Sequence, residues 1–516
     1  MKTAKHRSSR MLIIALAAVL TAVAAYPQTA AAETSSGSSV NAYRYDMKVR
    51  LDVSQKRLYE TLKIHVANKG SKALKRICIR NMAVSVLKQS AKNNSNRRIN
   101  RKKSSRIISV TDSRTGRSIP LRYRKDRSVI YGDLKSHPLD AGQKMVLKIR
   151  CRTDIPKQDD RFGYNVSKAG KMFELSFCFP YIAMYQNGKW DESPYFDSGE
   201  NRYRSCADYN VRFKAPEKYR VTATGTERKK GSYTYIKAPK VRDFALVACN
   251  YMKKETLHAD GIRINNYYLT INRNSHYRRI ARGAAADSVR LFTEKIGRYP
   301  YREIDVVQTR MGTSNGMEYP GLVMIAGDEY SKGFNPILED TTDLCSLVSH
   351  EVAHEWFCVS AGNDEYREAW LDEGFATYAA DVMYMGSGSP SVRLAERLAG
   401  EKPADPDKFN SRIDSSVREM IGSRRHFYIN RPVNRYSFAD YAEHVYSGGM
   451  AFLWELKKAM SDADFYAAVR DYYSRYTLKE AKTADFLRII RSYNNDAGVN
   501  SIINKYIDPY YLTKGI

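Results

Sequence analysis

From Tyr45 onward the chain alternates: Tyr45, Met47, Val49, Leu51 and Val53 are separated by single, mostly polar residues. After a turn, Leu62, Ile64 and Val66 repeat the pattern up to Asn68-Lys69-Gly70. A period of two puts one set of side chains on each face of a strand, so these runs predict half-buried strands. Short runs of the same kind continue to about residue 250, including Val146 to Cys151 and Tyr209 to Phe213, with turn residues at Asp140-Ala141-Gly142 and Thr224-Gly225. They predict an N-terminal all-β domain over 41–250. From about Ile262 the pattern shifts towards helix. Tyr277 to Ile296 is a long amphipathic run that stops at Gly297, and Ile304 to Val307 reads as strand. Asp464 to Tyr476 and Ala484 to Tyr493 read as helices, the second with Thr483 as its cap. Residues 251–516 are therefore expected to form a second domain with an α+β pattern.

The stretch Ser349 to Tyr378 carries the chemistry. His350-Glu351-Val352-Ala353-His354 is a His-Glu-x-x-His pentapeptide, preceded by Leu344, Leu347 and Val348 at helical spacing. No Pro or Gly follows until Gly362, so the helix is expected to run through both histidines. Positions four apart share a helix face, which lets the two imidazoles close on one metal ion. Glu351 sits one residue round, placed to reach a water on that ion. A catalytic zinc keeps three protein ligands and one open position. Glu373, in the apolar-patterned segment Ala369 to Tyr378, supplies the third, giving His350, His354 and Glu373 as ligands and Glu351 as general base.

His-Glu-Val-Ala-His-Glu-Trp-Phe together with Trp-Leu-Asp-Glu-Gly-Phe-Ala-Thr-Tyr resembles the gluzincin zinc aminopeptidase family of aminopeptidase N and leukotriene hydrolase. The resemblance implies a multidomain chain: an N-terminal β domain, then a thermolysin-like α+β catalytic domain holding one Zn2+. It also implies removal of N-terminal residues from peptides with a free N-terminus. Glu355 and Asp372 stand where members often carry Gln and Asn. The β domain adds a likeness through Arg161-Phe162-Gly163-Tyr164 and Ala207-Asp208-Tyr209 leading to Pro216. Ser314 to Met324 resembles the family's Gly-x-Met-Glu-Asn signature, with Asn315 at the usual Gly and Tyr319 at the usual Asn. Gly316, Met317 and Glu318 are the implied substrate-binding residues, on an edge strand that can pair with an extended peptide while Glu318 holds its α-amine. Glu174 is a further candidate for the amine.

Phe438 to Met450 resembles the family's Tyr-x-Lys-Gly segment, which makes Tyr446 the group that stabilises the tetrahedral intermediate. Tyr441 and Tyr436 are its alternatives, and Gly448 replaces the usual Lys. His444 reads as a packing residue rather than a ligand. Asp364, Glu365 and Glu368 are read as solvated loop acids or as supports for the metal ligands. Full-length relatives carry a further helical domain over the active site, and its absence from this chain implies a more open cleft.

Hydrophobic content of 43% and aromatic content of 11% fit a folded chain rather than a disordered one. Residues 1–32 read as a signal peptide: Lys2, Lys5, Arg7 and Arg10, then the apolar run Met11 to Ala25, then Ala30-Ala31-Ala32. An uncleaved anchor is the alternative. Residues 33–40 read as a flexible leader, and the mature protein is expected to be soluble and secreted. The seven cysteines have no Cys-x-x-Cys spacing, and their apolar settings predict buried thiols rather than a disulfide framework. Net charge is +29. Part of it lies in Arg97-Arg98-Ile99-Asn100-Arg101-Lys102-Lys103, read as a solvated loop or as a contact for an anionic cell-wall or membrane surface. Nucleic acid is not an expected partner. Two other functions fit the residues less well: an endopeptidase with an open cleft, and a non-catalytic wall-binding protein on a peptidase scaffold.

Overall fold

The structure is a computed structural model that describes residues 39–513, apart from 94–96, 159, 197–198, 272–274, 312–313, 327–340 and 404. The expected signal peptide and nearly all of the leader lie outside the described residues.

The alternating runs pair into a seven-stranded sheet. Its spatial order is Thr226–Lys230, Tyr233–Val241, Ala207–Lys214, Val40–Asp52, Arg57–Asn68, Lys144–Asp154 and Ser105–Asp112. Neighbours are antiparallel except Val40–Asp52 with Ala207–Lys214, which are parallel. The period of two does what it predicts: Tyr45, Met47, Val49, Leu51, Leu62, Ile64 and Val66 are all buried on one face. That face shares its core with two four-stranded sheets, through residues such as Ile77, Ile130, Phe173 and Leu246. Six of the seven cysteines are buried, and none forms a disulfide among the described residues.

A second system begins three residues after the last strand of the β region, Leu246–Cys249. It is a five-stranded sheet ordered Met252–Ala259, Ile262–Leu269, Glu303–Thr309, Leu322–Ala326 and Gly316–Tyr319. Ile262–Leu269 is thus a strand, not the start of helical structure. Both of its faces are largely covered, which removes the alternation that would have marked it. Helices pack on this sheet, with Ser275–Lys295 against Thr341–Ala353. A third cluster joins the two systems, placing Met172, Val247 and Cys249 against Met317, Leu322 and Met324. The described residues cluster as one compact unit.

The helical half closes around Trp370, whose indole N–H donates to Thr483 Oγ1 at 2.8 Å. Phe375 stacks on the same ring, and Phe452 and Phe486 meet it edge-on. The Trp370–Thr377 helix crosses the Gly448–Ala459 helix at paired glycines. A Cβ on Gly449 would stand 2.5 Å from Gly374 Cα, and one on Gly374 would stand 2.8 Å from Gly449 Cα. The backbones therefore touch without intervening side chains.

Two local expectations change. Thr483 is the first residue of the Thr483–Tyr493 helix and not its cap. Its start is satisfied instead by Asp485, which accepts from Lys482 N at 3.0 Å, while Thr483 N–H donates to Glu368. Arg97–Asn100 is a helical turn rather than a loop, because buried Asn100 anchors it to Ser90 Oγ and to the backbone of Lys157. Arg97, Arg98, Arg101 and Lys102 are exposed, as expected. Among the described residues, no helix is long and apolar enough to cross a membrane.

Ala is normally a better helix former than Gly by about 0.5–1 kcal/mol, so the crossing predicts a reversed sign at Gly449. Gly449→Ala is expected to destabilise the protein by roughly 1–3 kcal/mol, read from the denaturant midpoint, because the added methyl meets backbone that cannot turn aside. A second prediction concerns Glu60, buried on the inner face of Arg57–Asn68. Burial pushes its carboxyl up to about 7, against weaker opposing bonds from Cys151 and Thr153. The native state then holds a proton that the unfolded chain releases, so stability falls as pH rises from about 4.5 to 7, by about 3 kcal/mol at most. Glu60→Gln is expected to flatten that slope in unfolding curves taken across this range.

Candidate active site

The Thr341–Ala353 helix carries His350 in its last turn and ends before His354, whose N–H still reaches His350 O at 3.3 Å. It does not continue towards Gly362. The chain turns at once, with Cys358 at φ +79, and Glu355 pins the turn by accepting the Gly321 N–H with both carboxylate oxygens at 3.0 Å. The third member comes from the other helix, where Asp372 and Glu373 occupy the first turn of Trp370–Thr377.

Three donor atoms converge. His350 Nε2 lies 3.1 Å from His354 Nε2 and 3.2 Å from Glu373 Oε2, and His354 Nε2 lies 3.3 Å from Glu373 Oε2. Tetrahedral donors about 2.0–2.1 Å from a zinc ion would stand about 3.3–3.4 Å apart, so the triangle matches one face of such a site. The ring orientation agrees. His354 Nδ1 lies 2.6 Å from Asp372 Oδ1 inside the protein, so Nδ1 donates there and the Nε2 lone pair faces the other donors. Asp372 therefore orients a ligand directly, a larger part than its sequence position suggested. Burial alone would raise the Glu373 carboxyl, but His354 and His350 outweigh it and hold the group ionised. The set fits a divalent metal.

Glu351 is buried beside this triangle, and its Oε2 has no hydrogen-bond partner among the described residues. Burial raises its pKa well above the usual carboxylate range, and the Glu318 carboxylate adds to the effect. Gly316 makes room for it. A Cβ there would overlap the Glu351 carboxylate, so this glycine admits the side chain of Glu351 as well as leaving its own backbone open.

Gly316–Tyr319 is the edge strand of its sheet, as expected, but its side chains are placed in ways the sequence did not suggest. Met317 turns into the core, its sulfur 3.0 Å from Arg161 Nη1, so only its backbone is left to face a substrate. Glu318 is buried, and its Oε1 is ion-paired with Arg202, whose guanidinium also donates to Glu318 O. Arg202 lies 5.6 Å from the ring centre of Tyr319, the residue that stands where Asn is usual. Glu365 accepts the Arg202 N–H, and Glu200 pairs with Arg161 at 2.8 Å. Burial pushes Glu200 up to about 8, with Arg161 working against it and Glu318 adding to it.

Tyr446 lies on a π-helical turn, Ala442–Ser447, directly before the glycine crossing. Its ring is stacked 5.9 Å from that of His350 at an interplanar angle of 8°. Burial raises its hydroxyl pKa well above normal, and the nearby Glu373 adds to it. Of its alternatives, Tyr436 Oη donates to Tyr428 O, while Tyr441 packs edge-on against Tyr446 and lies near the Glu373 carboxylate. At Gly448 a Cβ would fall 2.6 Å from Phe427, so the backbone here has no room for the usual Lys. His444 stacks on Phe427, as a packing residue should. Glu174 is buried and accepts from Asn165 and from Arg310 N. Glu365 is buried, Asp364 pairs with Arg367, and Glu368 accepts from Thr483, so none of the three is a freely solvated loop acid and none bonds a metal ligand.

Residues 284–506 match the peptidase family M1 domain. Through those residues the chain resembles peptidase family M1. The M1 enzymes it resembles include endoplasmic reticulum aminopeptidase 2 of Homo sapiens, 22% identical over 251 residues, 47% of this chain and 24% of that protein. Alanine/arginine aminopeptidase of Saccharomyces cerevisiae is 23% identical over 259 residues, 49% of this chain and 28% of that protein. The matches thus span about a quarter of those relatives. The M1 zinc metallopeptidase of Deinococcus radiodurans shares the fold at 14% identity, with a TM-score of 0.60 over 92% of this chain and 94% of that one. A mutant of that enzyme, solved with a Tyr-Ser-Ala substrate, is alike at a TM-score of 0.58, covering 91% and 96%.

Sequence reasoning missed Glu200 and Arg202, and named Arg161 only for the likeness of the β domain. They lie in irregular or weakly patterned chain before the catalytic half, and no spacing connects them to residues more than a hundred positions away.

Removing the Asp372 carboxylate frees the His354 ring to turn and to protonate the wrong nitrogen. Asp372→Ala is expected to weaken zinc binding about 10- to 100-fold, measured by competition with a chromogenic chelator.

Proposed function

We propose that this protein is a zinc-dependent peptidase that removes residues from the free N-termini of peptides. The observation that carries this reading is the convergence of His350, His354 and Glu373, with Asp372 setting the His354 tautomer. Bound there, zinc would polarise a scissile carbonyl and acidify the attacking water. Glu351 is positioned to take that water's proton and pass it to the leaving amine, and its raised pKa suits a group that must both accept and return one. Tyr446, beside His350, donates a hydrogen bond to the carbonyl oxygen as charge builds on it. The edge strand Gly316–Tyr319 pairs with the peptide backbone, and Glu318 binds the α-ammonium. Arg202 already neutralises one side of Glu318, which supports a second reading: an endopeptidase whose demand for a free amine is relaxed.

Turnover of aminoacyl amides beside the same panel N-acetylated separates the two. Chelator-sensitive cleavage of the free amines alone is expected. Glu351→Gln should lower kcat by about 10²- to 10⁴-fold, and Glu318→Gln should cut kcat/KM mainly through KM. Equal cleavage of the acetylated panel, unchanged in Glu318→Gln, would make this an endopeptidase.

A further inference from the structure

The outer face of the seven-stranded sheet carries no candidate catalytic residue, and its charge is one-sided. Strand register arranges it in rows. One row crosses the sheet through Arg228, Tyr235, Arg212, Lys48, Thr61 and Arg150. The next, two residues further along each strand, runs through Lys230, Tyr233, Lys214, Arg50, Tyr59 and Arg152, and reaches Arg106 on the edge strand. On the other side a third row carries Lys237, Lys63 and Lys148. Neighbouring strands stand about 4.8 Å apart and alternate residues about 6.7 Å apart, so the cations form a close lattice.

Carboxylates are nearly absent from it. Asp46, the one acid in these three rows, is already bound by Arg44 and His65. Arg50 pairs with Asp52 at 3.3 Å, whereas Lys48, Lys63, Lys148, Arg150 and Arg212 have no ion pair among the described residues. The face is also concave. A groove of about 750 Å³ runs along Lys48, Lys63, Lys148, Arg150, Arg212 and Lys237. A second groove of about 850 Å³ adjoins it through Arg50 and Lys214 and adds Lys168, Lys171 and Lys218. Like charges at this density repel one another, a cost that a bound polyanion would remove.

We propose that this groove binds a linear phosphodiester polymer without bases, of the poly(glycerol phosphate) type. Shape argues against a flat anionic bilayer: the aliphatic side chains lining the 750 Å³ groove, Met47 and Val211, are buried, so Tyr235 alone offers it an exposed ring to insert. The tyrosines argue against single-stranded nucleic acid, which needs a run of open ring faces for successive bases: of the three tyrosines in these rows, Tyr235 is exposed and the other two lie under cations. Arg50 lies over Tyr59 at 4.1 Å, and Arg212 and Lys214 lie over Tyr233 at 4.9 and 5.3 Å.

The test is fluorescence anisotropy of labelled oligo(glycerol phosphate) against the full chain at several salt concentrations, with anionic phospholipid vesicles and a single-stranded oligonucleotide as competitors. The triple variant Lys48→Glu, Arg150→Glu, Arg212→Glu is compared with Arg97→Glu, Arg98→Glu, Arg101→Glu, which changes the net charge equally. The sheet variant should bind at least tenfold more weakly, and its slope of log affinity on log salt should fall by about two, while the second triple changes little. The corresponding Gln triple guards against misfolding, and it should weaken binding without lowering the thermal transition. Equal loss in both Glu triples, or no loss in the Gln triple, would overturn the assignment. Vesicles or the oligonucleotide binding more tightly than the polymer would also overturn it, in favour of a membrane or nucleic-acid surface.

Discussion

Buried carboxylates crowd one cleft, and the cations that offset them shape the site. Glu200, Glu318, Glu351, Glu365 and Glu373 are all largely buried within the reach of a few side chains. Withdrawing an isolated carboxylate from water costs several kcal/mol, so the cluster depends on compensation. Arg161 and Arg202 supply it from the β region, and the histidines supply it from the end of the Thr341–Ala353 helix and the turn after it. Glu351, the group proposed to move a proton, keeps one buried oxygen without a hydrogen-bond partner among the described residues. Raising its pKa is the consequence of leaving it buried and uncompensated.

Backbone contact is the second condition. Gly374 and Gly449 let two helices meet closely enough that Glu373 and Tyr446, each next to the crossing, share one site. Gly316 does the same for strand and helix by admitting the Glu351 carboxylate against the edge strand. In each case a missing Cβ sets a distance that no side chain could set by attraction.

The departures from the family's usual residues are also coherent. Tyr319 replaces an Asn and packs beside Arg202, which in turn engages Glu318. Gly448 replaces a Lys where Phe427 and Ile429 leave no space. Asp372 replaces an Asn and presents a carboxylate to His354. Each substitution is matched by a neighbour distant in sequence, so each is better understood as half of a pair.

Periodicity and spacing by themselves determined the half-buried strands, the long helices, and the candidates His350, Glu351 and His354, because these depend on residues within one turn or one strand, and the family resemblance of a second short motif added Glu373. The same local rules misjudged Ile262–Leu269, whose two covered faces erase alternation, and Thr483, whose N–H is taken by Glu368 in the turn before another helix. Only the tertiary structure decided that Arg202 holds Glu318, that Met317 faces the core, and that Tyr446 rather than Tyr436 stands beside His350. It also decided that the surplus charge gathers on one sheet face, because strand register aligns lysines and arginines from seven separate segments. Burial and register are relations between distant stretches of chain, and no pattern within a single stretch contains them.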